Sequence, residues 1–216
     1  MADMKIHSND RVLLAGKTGS GKTWLAEHLL NRVDRLVVID PKDRLTHWRL
    51  DVPSERDWRD FDRGEAGRFR LVSPIQDNTQ AWYEDQFARL YTVGNLIVYI
   101  DEAYGVLDKP GARPGKWLSA MYTRGRELGI GTWAATQRPS WIPGFLMSEA
   151  DILIVFRLNM PDDRKKLAEI GGEALSRRVP DTHGFYLYRL EDDSPTYFKT
   201  AELGAIHTEP VTSETV

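Results

Sequence analysis

Short runs of consecutive apolar residues recur along the chain, separated by segments whose apolar residues have helical spacing. Consecutive apolar positions are typical of strands buried on both faces, and their alternation with helices is typical of a parallel sheet. The buried strands predicted in this way are residues 11–15, 36–39, 69–72, 96–100, 132–135 and 152–156. The pattern therefore predicts an α/β fold.

Helices are predicted between these strands from the spacing of their apolar residues. They cover residues 24–32, 79–93, 116–128 and 161–170, with short helices inside 43–66. The segment 103–115 is rich in glycine and proline and is expected to be a loop. Residues 185–188 are expected to form an edge strand in a hairpin with 196–199, and the tail after Glu202 to be loosely ordered.

Composition narrows the class of protein. The 216 residues, 41% of them hydrophobic, predict a single domain over residues 1–216, with a core at about 11–190 and an acidic C-terminal strand and tail at 191–216. The absence of cysteine excludes disulfides and thiolate metal sites. No apolar run is long enough for a membrane span and no signal peptide is evident, so we expect a cytoplasmic protein.

The net charge of −3 does not exclude a nucleic-acid partner. Residues 191–216 carry a net charge of −5, so the remainder of the chain has a net charge of +2.

The most informative motif is GKTGSGKT at residues 16–23, between the first predicted strand and the first predicted helix. This is the context of a phosphate-binding P-loop, in which glycines permit positive φ and close approach of backbone N–H groups to phosphate. Lys22 is expected to reach the β- and γ-phosphates and the Thr23 hydroxyl to bind Mg²⁺. The predicted nucleotide-binding residues are Gly16, Lys17, Thr18, Gly19, Ser20, Gly21, Lys22 and Thr23.

Two further strand ends carry candidate chemistry. Asp101 and Glu102 follow the apolar run 96–100, where Asp101 suits a metal ligand and Glu102 a general base for water. Gln137 follows the strand 132–135, and its amide would lie near the γ-phosphate if that strand neighbours the P-loop strand. From spacing alone, a turn residue before Pro139 is an equally good interpretation of Gln137.

Residues 123–139, TRGRELGIGTWAATQRP, resemble the FtsK/HerA superfamily of P-loop DNA-pumping ATPases, which have an arginine ahead of a strand ending in ATQRP. The resemblance continues through 148–157 and the Asp-Pro-Lys turn at 40–42, and it covers about 11–190. It implies a P-loop NTPase of RecA-like/ASCE type, with a mostly parallel central sheet flanked by helices. The size of the chain is most similar to the minimal genome-packaging ATPases of tailless, membrane-containing viruses.

The resemblance also implies residue roles. Asp101 and Glu102 would hold Mg²⁺ and activate water, Gln137 would sense the γ-phosphate of ATP, and Arg126 would reach the nucleotide of a neighbouring subunit. Arg124 is the alternative for this arginine finger. The implied partners are double-stranded DNA, further copies of the chain in a hexameric or pentameric ring, and a capsid or portal vertex protein.

A DNA motor needs cations that face the duplex backbone. The preferred candidates are in the loop beyond the acidic pair: Lys109, Arg113 and Lys116. The alternatives are the basic clusters 164–166 and 177–178, and an ordinary solvated loop is the competing interpretation of the first set.

Other classes of protein remain open from the sequence. A plasmid or conjugative DNA-transfer ATPase would share these motifs. A nucleotide switch of the deviant P-loop type would explain Lys17, but Thr18 stands where that group has glycine. A small-molecule or nucleoside kinase would not need Glu102 paired with a distant glutamine.

Overall fold

A computed structural model describes residues 4–192, 194–199 and 206–209. Among them, an eight-stranded sheet forms the centre and a pair of short strands lies apart from it. The strands, in chain order, are β1 (Met4–His7), β2 (Val12–Ala15), β3 (Arg35–Ile39), β4 (Gly67–Leu71), β5 (Leu96–Asp101), β6 (Ile130–Thr136), β7 (Ile152–Phe156), β8 (Phe185–Arg189), β9 (Thr196–Phe198) and β10 (Ile206–Glu209).

The strand order in the sheet is β4-β3-β5-β6-β2-β7-β8-β9. The first six of these strands are parallel, and β8 and β9 continue the sheet antiparallel. The central strand is β2, where Ala15 is paired with Thr136 of β6 and Val155 of β7. The loops that follow the carboxyl ends of parallel strands therefore share one edge with the loop after β2, and this edge is where open α/β sheets bind ligands.

Helices cover both faces of the sheet. They are α1 (Lys22–Leu30), α2 (Glu55–Asp62), α3 (Gln80–Val93), α4 (Lys116–Arg124), α5 (Gly144–Ser148) and α6 (Pro161–Gly171). Successive residues of β2 point to opposite faces, so Leu13 joins the core beneath α3, α4 and α6, while Leu14 joins the core beneath α1. No helix in the described ranges is long and apolar enough to cross a membrane.

The predicted α/β architecture and the hairpin of β8 with β9 are confirmed, but three details differ. The helix predicted over 116–128 ends at Arg124 and continues as a 3-10 turn, Gly125–Leu128, because Gly129 takes a left-handed conformation with φ 68°. Residues 103–115 are not wholly a loop, since Ala103–Val106 is a 3-10 helix whose ends are buried. The strand β8 is not at the edge, because β9 pairs with its outer side.

The pairing of the two chain ends was not predicted. The strand β1 pairs in parallel with β10, with Met4 opposite Ile206. The prediction of a loosely ordered tail falls mostly on residues outside the described ranges, and the described part, 206–209, is this strand.

Candidate nucleotide-binding site

The glycine-rich loop leaves the central strand β2 and runs into α1, as the motif predicts. Gly19 and Gly21 have φ of 72° and 103°, which side chains with a Cβ rarely adopt. Gly16 does not have positive φ, contrary to expectation. It is required for packing instead, because a Cβ there would lie 2.6 Å from the Cβ of Phe156.

Lys22 is buried at the start of α1 and points back into the loop. Its Nζ donates hydrogen bonds to the carbonyl oxygens of Gly16 at 2.7 Å and Lys17 at 3.1 Å. Burial lowers the pKa of Lys22 to about 8, although the nearby charges of Glu102 and Asp101 oppose this shift. The ammonium group is thus surrounded by backbone atoms and shielded from solvent, so its electrostatic attraction to a phosphate would be stronger than in water.

Asp101 ends β5 beside the loop, as predicted. Its Oδ1 accepts hydrogen bonds from the Tyr99 hydroxyl at 2.9 Å and, at 3.4 Å, from the Thr23 hydroxyl. Burial raises the pKa of Asp101, and the hydrogen bonds from Tyr99 and Thr23 and the charge of Lys22 limit the shift. One hydroxyl and one carboxylate side by side suit Mg²⁺, which usually takes few protein ligands and completes its shell with phosphate and water.

Glu102 is buried next to Asp101, and its backbone has φ 86°, an uncommon conformation for glutamate that is characteristic of functional sites. One carboxylate oxygen, Oε1, accepts from the Thr136 hydroxyl and the Gln137 backbone N–H, both at 3.1 Å. The other, Oε2, lies 3.4 Å from the Nζ of Lys42. Thr136 and Lys42 are contacts that sequence reasoning missed.

Gln137 follows β6, the neighbour of the P-loop strand, so the condition for its predicted position is met. Its Oε1 accepts a 2.6 Å hydrogen bond from the Thr18 hydroxyl within the loop. The next residue, Arg138, donates to the buried carboxylate of Asp163 on α6 at 3.0 Å. This half-buried ion pair helps to fix the segment that presents Gln137.

An open cavity of about 680 Å³ is lined by the loop, Asp101 and Gln137. Its far walls were not predicted, and they include Trp24, Arg44, Leu45, His47 and His183. The size and the mixture of aromatic, apolar and polar walls suit a ligand as large as a nucleotide. No cluster of three or more acidic, histidine or cysteine residues that could hold a metal ion occurs among the described residues.

The two candidate finger arginines lie at the other end of the sheet. Arg126 donates to the buried carboxylate of Asp10, just before β2, at 3.0 Å, and its Nη2 is 3.7 Å from Asp151, just before β7. Arg124, at the end of α4, is exposed. Neither can reach the P-loop of its own chain across the length of the strands, and the role of either as a finger stays a prediction.

The predicted DNA-contacting cations are exposed: Lys109, Arg113 and Lys116. Their segment is held to α3, where the Gln80 side chain accepts from the backbone of Asp108 and donates to the carbonyl of Arg113. The alternative cluster on α6 is partly engaged, since Arg164 donates to the carbonyls of Leu158 and Asn159. The third cluster, 177–178, is exposed.

A mostly parallel sheet with a glycine-rich loop after its central strand and a carboxylate pair after a nearby strand defines a P-loop NTPase fold. No protein-family profile matches the sequence. The chain is 28% identical over 163 residues to the DNA packaging ATPase P9 of Enterobacteria phage PRD1, an alignment that covers 74% of this chain and 69% of P9.

Solved structures agree with that similarity. The genome packaging NTPase B204 from Sulfolobus turreted icosahedral virus 2, in complex with ATP-gammaS, has a TM-score of 0.74 at 18% identity, covering 88% of this chain and 97% of B204. The pCW3 conjugation coupling protein TcpA has a TM-score of 0.61 at 16% identity, covering 89% of this chain and 60% of TcpA. The solved structures confirm the predicted fold, and the similarity to P9 confirms the resemblance to viral packaging ATPases.

Proposed function

We propose that this chain is a Mg²⁺-dependent ATPase that pumps double-stranded DNA during viral genome packaging. The observation that carries the proposal is the convergence of Lys22, the Asp101-Glu102 pair and Gln137 at one edge of the sheet. The similarity to the DNA packaging ATPase P9 supports the choice of substrate and of biological process.

In this proposal, the loop 16–23 binds the phosphates of ATP. Thr23 and Asp101 would hold Mg²⁺, which would neutralise part of the negative charge of the phosphates. The buried carboxylate of Glu102 accepts the proton of the attacking water, and Gln137 contacts the γ-phosphate or that water. Because the carboxylate is already oriented by Thr136 and the backbone of Gln137, little reorganisation is needed when ATP binds.

A finger role for Arg126 would require a second subunit, because Arg126 lies at the opposite end of the sheet from its own P-loop. A head-to-tail neighbour in a ring could place the amino ends of its strands against the P-loop edge and so present Arg126, or alternatively Arg124, to the γ-phosphate. We infer a homo-oligomeric ring, hexameric or pentameric, that encircles duplex DNA and docks on a capsid or portal vertex protein. Such a protein would act in the host cytoplasm or in the virion.

A conjugative or plasmid DNA-transfer ATPase is the second candidate, favoured by the structural similarity to TcpA. A deviant P-loop switch fits less well. The Thr18 hydroxyl donates a hydrogen bond to Gln137, and the Glu102 carboxylate is oriented by Thr136 in a way that suits a base for hydrolysis. Stimulation of ATP turnover by duplex DNA separates a motor from a switch, and phosphorylation of an acceptor by a monomer would support a kinase instead.

The catalytic assignment is tested with two variants. Lys22→Ala should lose nucleotide binding, whereas Glu102→Gln should still bind ATP with Mg²⁺ and hydrolyse it very slowly, because the carboxylate acts on water and not on phosphate. Binding and turnover are measured for both, with Glu173→Gln, an exposed glutamate change, as the control. Wild-type turnover by Glu102→Gln would show that another group is the base.

A further inference from the structure

The base of a nucleoside triphosphate must lie outside the phosphate loop. The nucleoside is attached to the α-phosphate, at the opposite end of the triphosphate from the γ-phosphate that Gln137 would contact. Trp24 directly follows Thr23 at the start of α1 and lines the same cavity as the loop. Because N–H groups at a helix start bind phosphate, a nucleoside attached there lies within reach of the Trp24 side chain.

Trp24 presents a flat apolar surface beside that cavity. One face of its indole is stacked on His28, with ring centres 5.5 Å apart and planes 13° from parallel. Trp24 is 51% exposed, and no second aromatic ring contacts it in the described part of the chain, so the other face is open. A nucleobase on that face would remove apolar surface from water and gain a stacking contact.

The orientation of this indole is preformed. Trp24 and His28 are four residues apart and therefore lie on the same side of α1. The next two residues, Leu25 and Ala26, are buried, and the backbone N–H of Leu25 donates to the carbonyl of Gly21 at 2.9 Å. The helix start is thus anchored in the core on one side and carries the stacked pair on the other. A preformed aromatic surface binds a base with little loss of side-chain freedom.

The polar side chains that line the cavity beyond the loop are exposed rather than rigidly held. Arg44 is exposed and has no hydrogen bond or ion pair with another residue that the structure describes. His47 is also exposed and lies 3.9 Å from the Glu27 carboxylate. Strong discrimination between similar ligands requires polar groups that are buried and fixed. Stacking distinguishes bases by the area of their rings instead, which is larger for purines than for pyrimidines.

We propose that Trp24 is the stacking surface for the base of the bound nucleotide and makes the site selective for purine over pyrimidine nucleotides. Because stacking does not distinguish adenine from guanine, the site should bind ATP and GTP alike. This inference rests on the proposed function, since it takes the loop 16–23 as a triphosphate site. It goes further by assigning the residue that contacts the base and the class of nucleotide.

The test measures Kd by calorimetry for ATP, GTP, CTP, UTP and tripolyphosphate, each with Mg²⁺ and without DNA. Wild type should bind ATP and GTP within about threefold of each other and about tenfold more tightly than CTP and UTP. Trp24→Ala should weaken ATP and GTP binding by about tenfold, so that the purine preference falls toward one, while Kd for tripolyphosphate stays unchanged. Trp24→Phe should retain part of the preference, because it retains an aromatic face. Ile75→Ala, which changes another exposed apolar residue outside the cavity, should leave all five values unchanged.

Trp24→Leu answers the question if Trp24→Ala fails to fold, because leucine is apolar but has no ring on which a base can stack. An undiminished purine preference in Trp24→Ala or Trp24→Leu would overturn the inference. A loss of that preference in His183→Ala instead would place the base beside His183, which lies next to Gly21.

Two other results would also contradict the inference. Equal weakening of all five ligands by Trp24→Ala would mean that Trp24 acts through the phosphate loop and not on the base. A wild-type preference of a hundredfold or more for ATP over GTP would mean that other groups recognise the base. Failure of the proposed function is distinguishable, since wild-type protein would then bind none of the five ligands.

Discussion

The substitution of Arg126 by alanine tests whether this arginine acts in trans, on the nucleotide of a neighbouring subunit. The contacts of Arg126 allow its effect on stability to be distinguished from its effect on the rate of hydrolysis. Arg126 pairs with Asp10, whose carboxylate is buried and also accepts the backbone N–H of His7 at 2.8 Å. About half of the Arg126 side chain is exposed, so solvent screens the pair. We expect Arg126→Ala to lower the free energy of unfolding by only about 1 kcal/mol.

The expected effect on rate is much larger. A cationic finger accelerates phosphoryl transfer by about three to five orders of magnitude, equivalent to roughly 4–7 kcal/mol. Release of the Asp10 contact costs far less than this, so Arg126 can leave its own carboxylate to serve a neighbouring nucleotide. Arg126→Ala should therefore fold, bind ATP and hydrolyse it at a small fraction of the wild-type rate.

The assay mixes inactive Arg126→Ala with inactive Lys22→Ala. Mixed oligomers contain interfaces that pair an intact P-loop with an intact Arg126, so some hydrolysis should return. Arg124→Ala is the matched control and should remain active. No recovery in verified mixed oligomers, together with an inactive Arg124→Ala, would transfer the role to Arg124, and full activity of a stable monomer would refute the trans mechanism.

Two further predictions concern charge. Because the pKa of Lys22 is lowered to about 8, its ammonium form is progressively lost above that pH, and affinity for ATP measured by calorimetry should fall about tenfold between pH 7 and pH 9. Lys22→Arg should abolish this pH dependence, and its persistence would exclude Lys22 as the titrating group. Replacing Lys109, Arg113 and Lys116 together should leave basal ATP hydrolysis intact. The slope of log DNA affinity against log salt concentration should fall by roughly one unit for each lost phosphate contact. An unchanged slope would place the DNA site elsewhere, first at the cluster on α6.

The elements that the sequence predicted best are those encoded by local chemistry. The P-loop could be located because its glycines, lysine and threonine are contiguous, and Asp101 could be located because it ends an apolar run. The explanation for Gly16 was wrong, because this position needs a glycine for packing and not for positive φ. The constraint comes from Phe156 on β7, which is distant in sequence.

The contacts around Glu102 depend on strand order, which hydrophobic patterns do not specify. Lys42 reaches Glu102 because β3 lies next to β5, and Thr136 reaches it because β6 lies on the other side. The Asp-Pro-Lys turn at 40–42 was identified through its resemblance to known ATPases. Its contact with Glu102 could not be predicted without the order of the strands in the sheet. The pairing of β1 with β10 was missed for the same reason, because it joins the two ends of the chain.

The central claim is that ATP hydrolysis at this site moves the protein along duplex DNA, and the most direct test is displacement of a short third strand bound to that duplex. The account predicts that wild-type protein displaces the third strand only when ATP and Mg²⁺ are supplied, and that Glu102→Gln, which should bind the same nucleotide, does not. DNA-stimulated hydrolysis without displacement, or displacement by Glu102→Gln at the wild-type rate, would contradict the account.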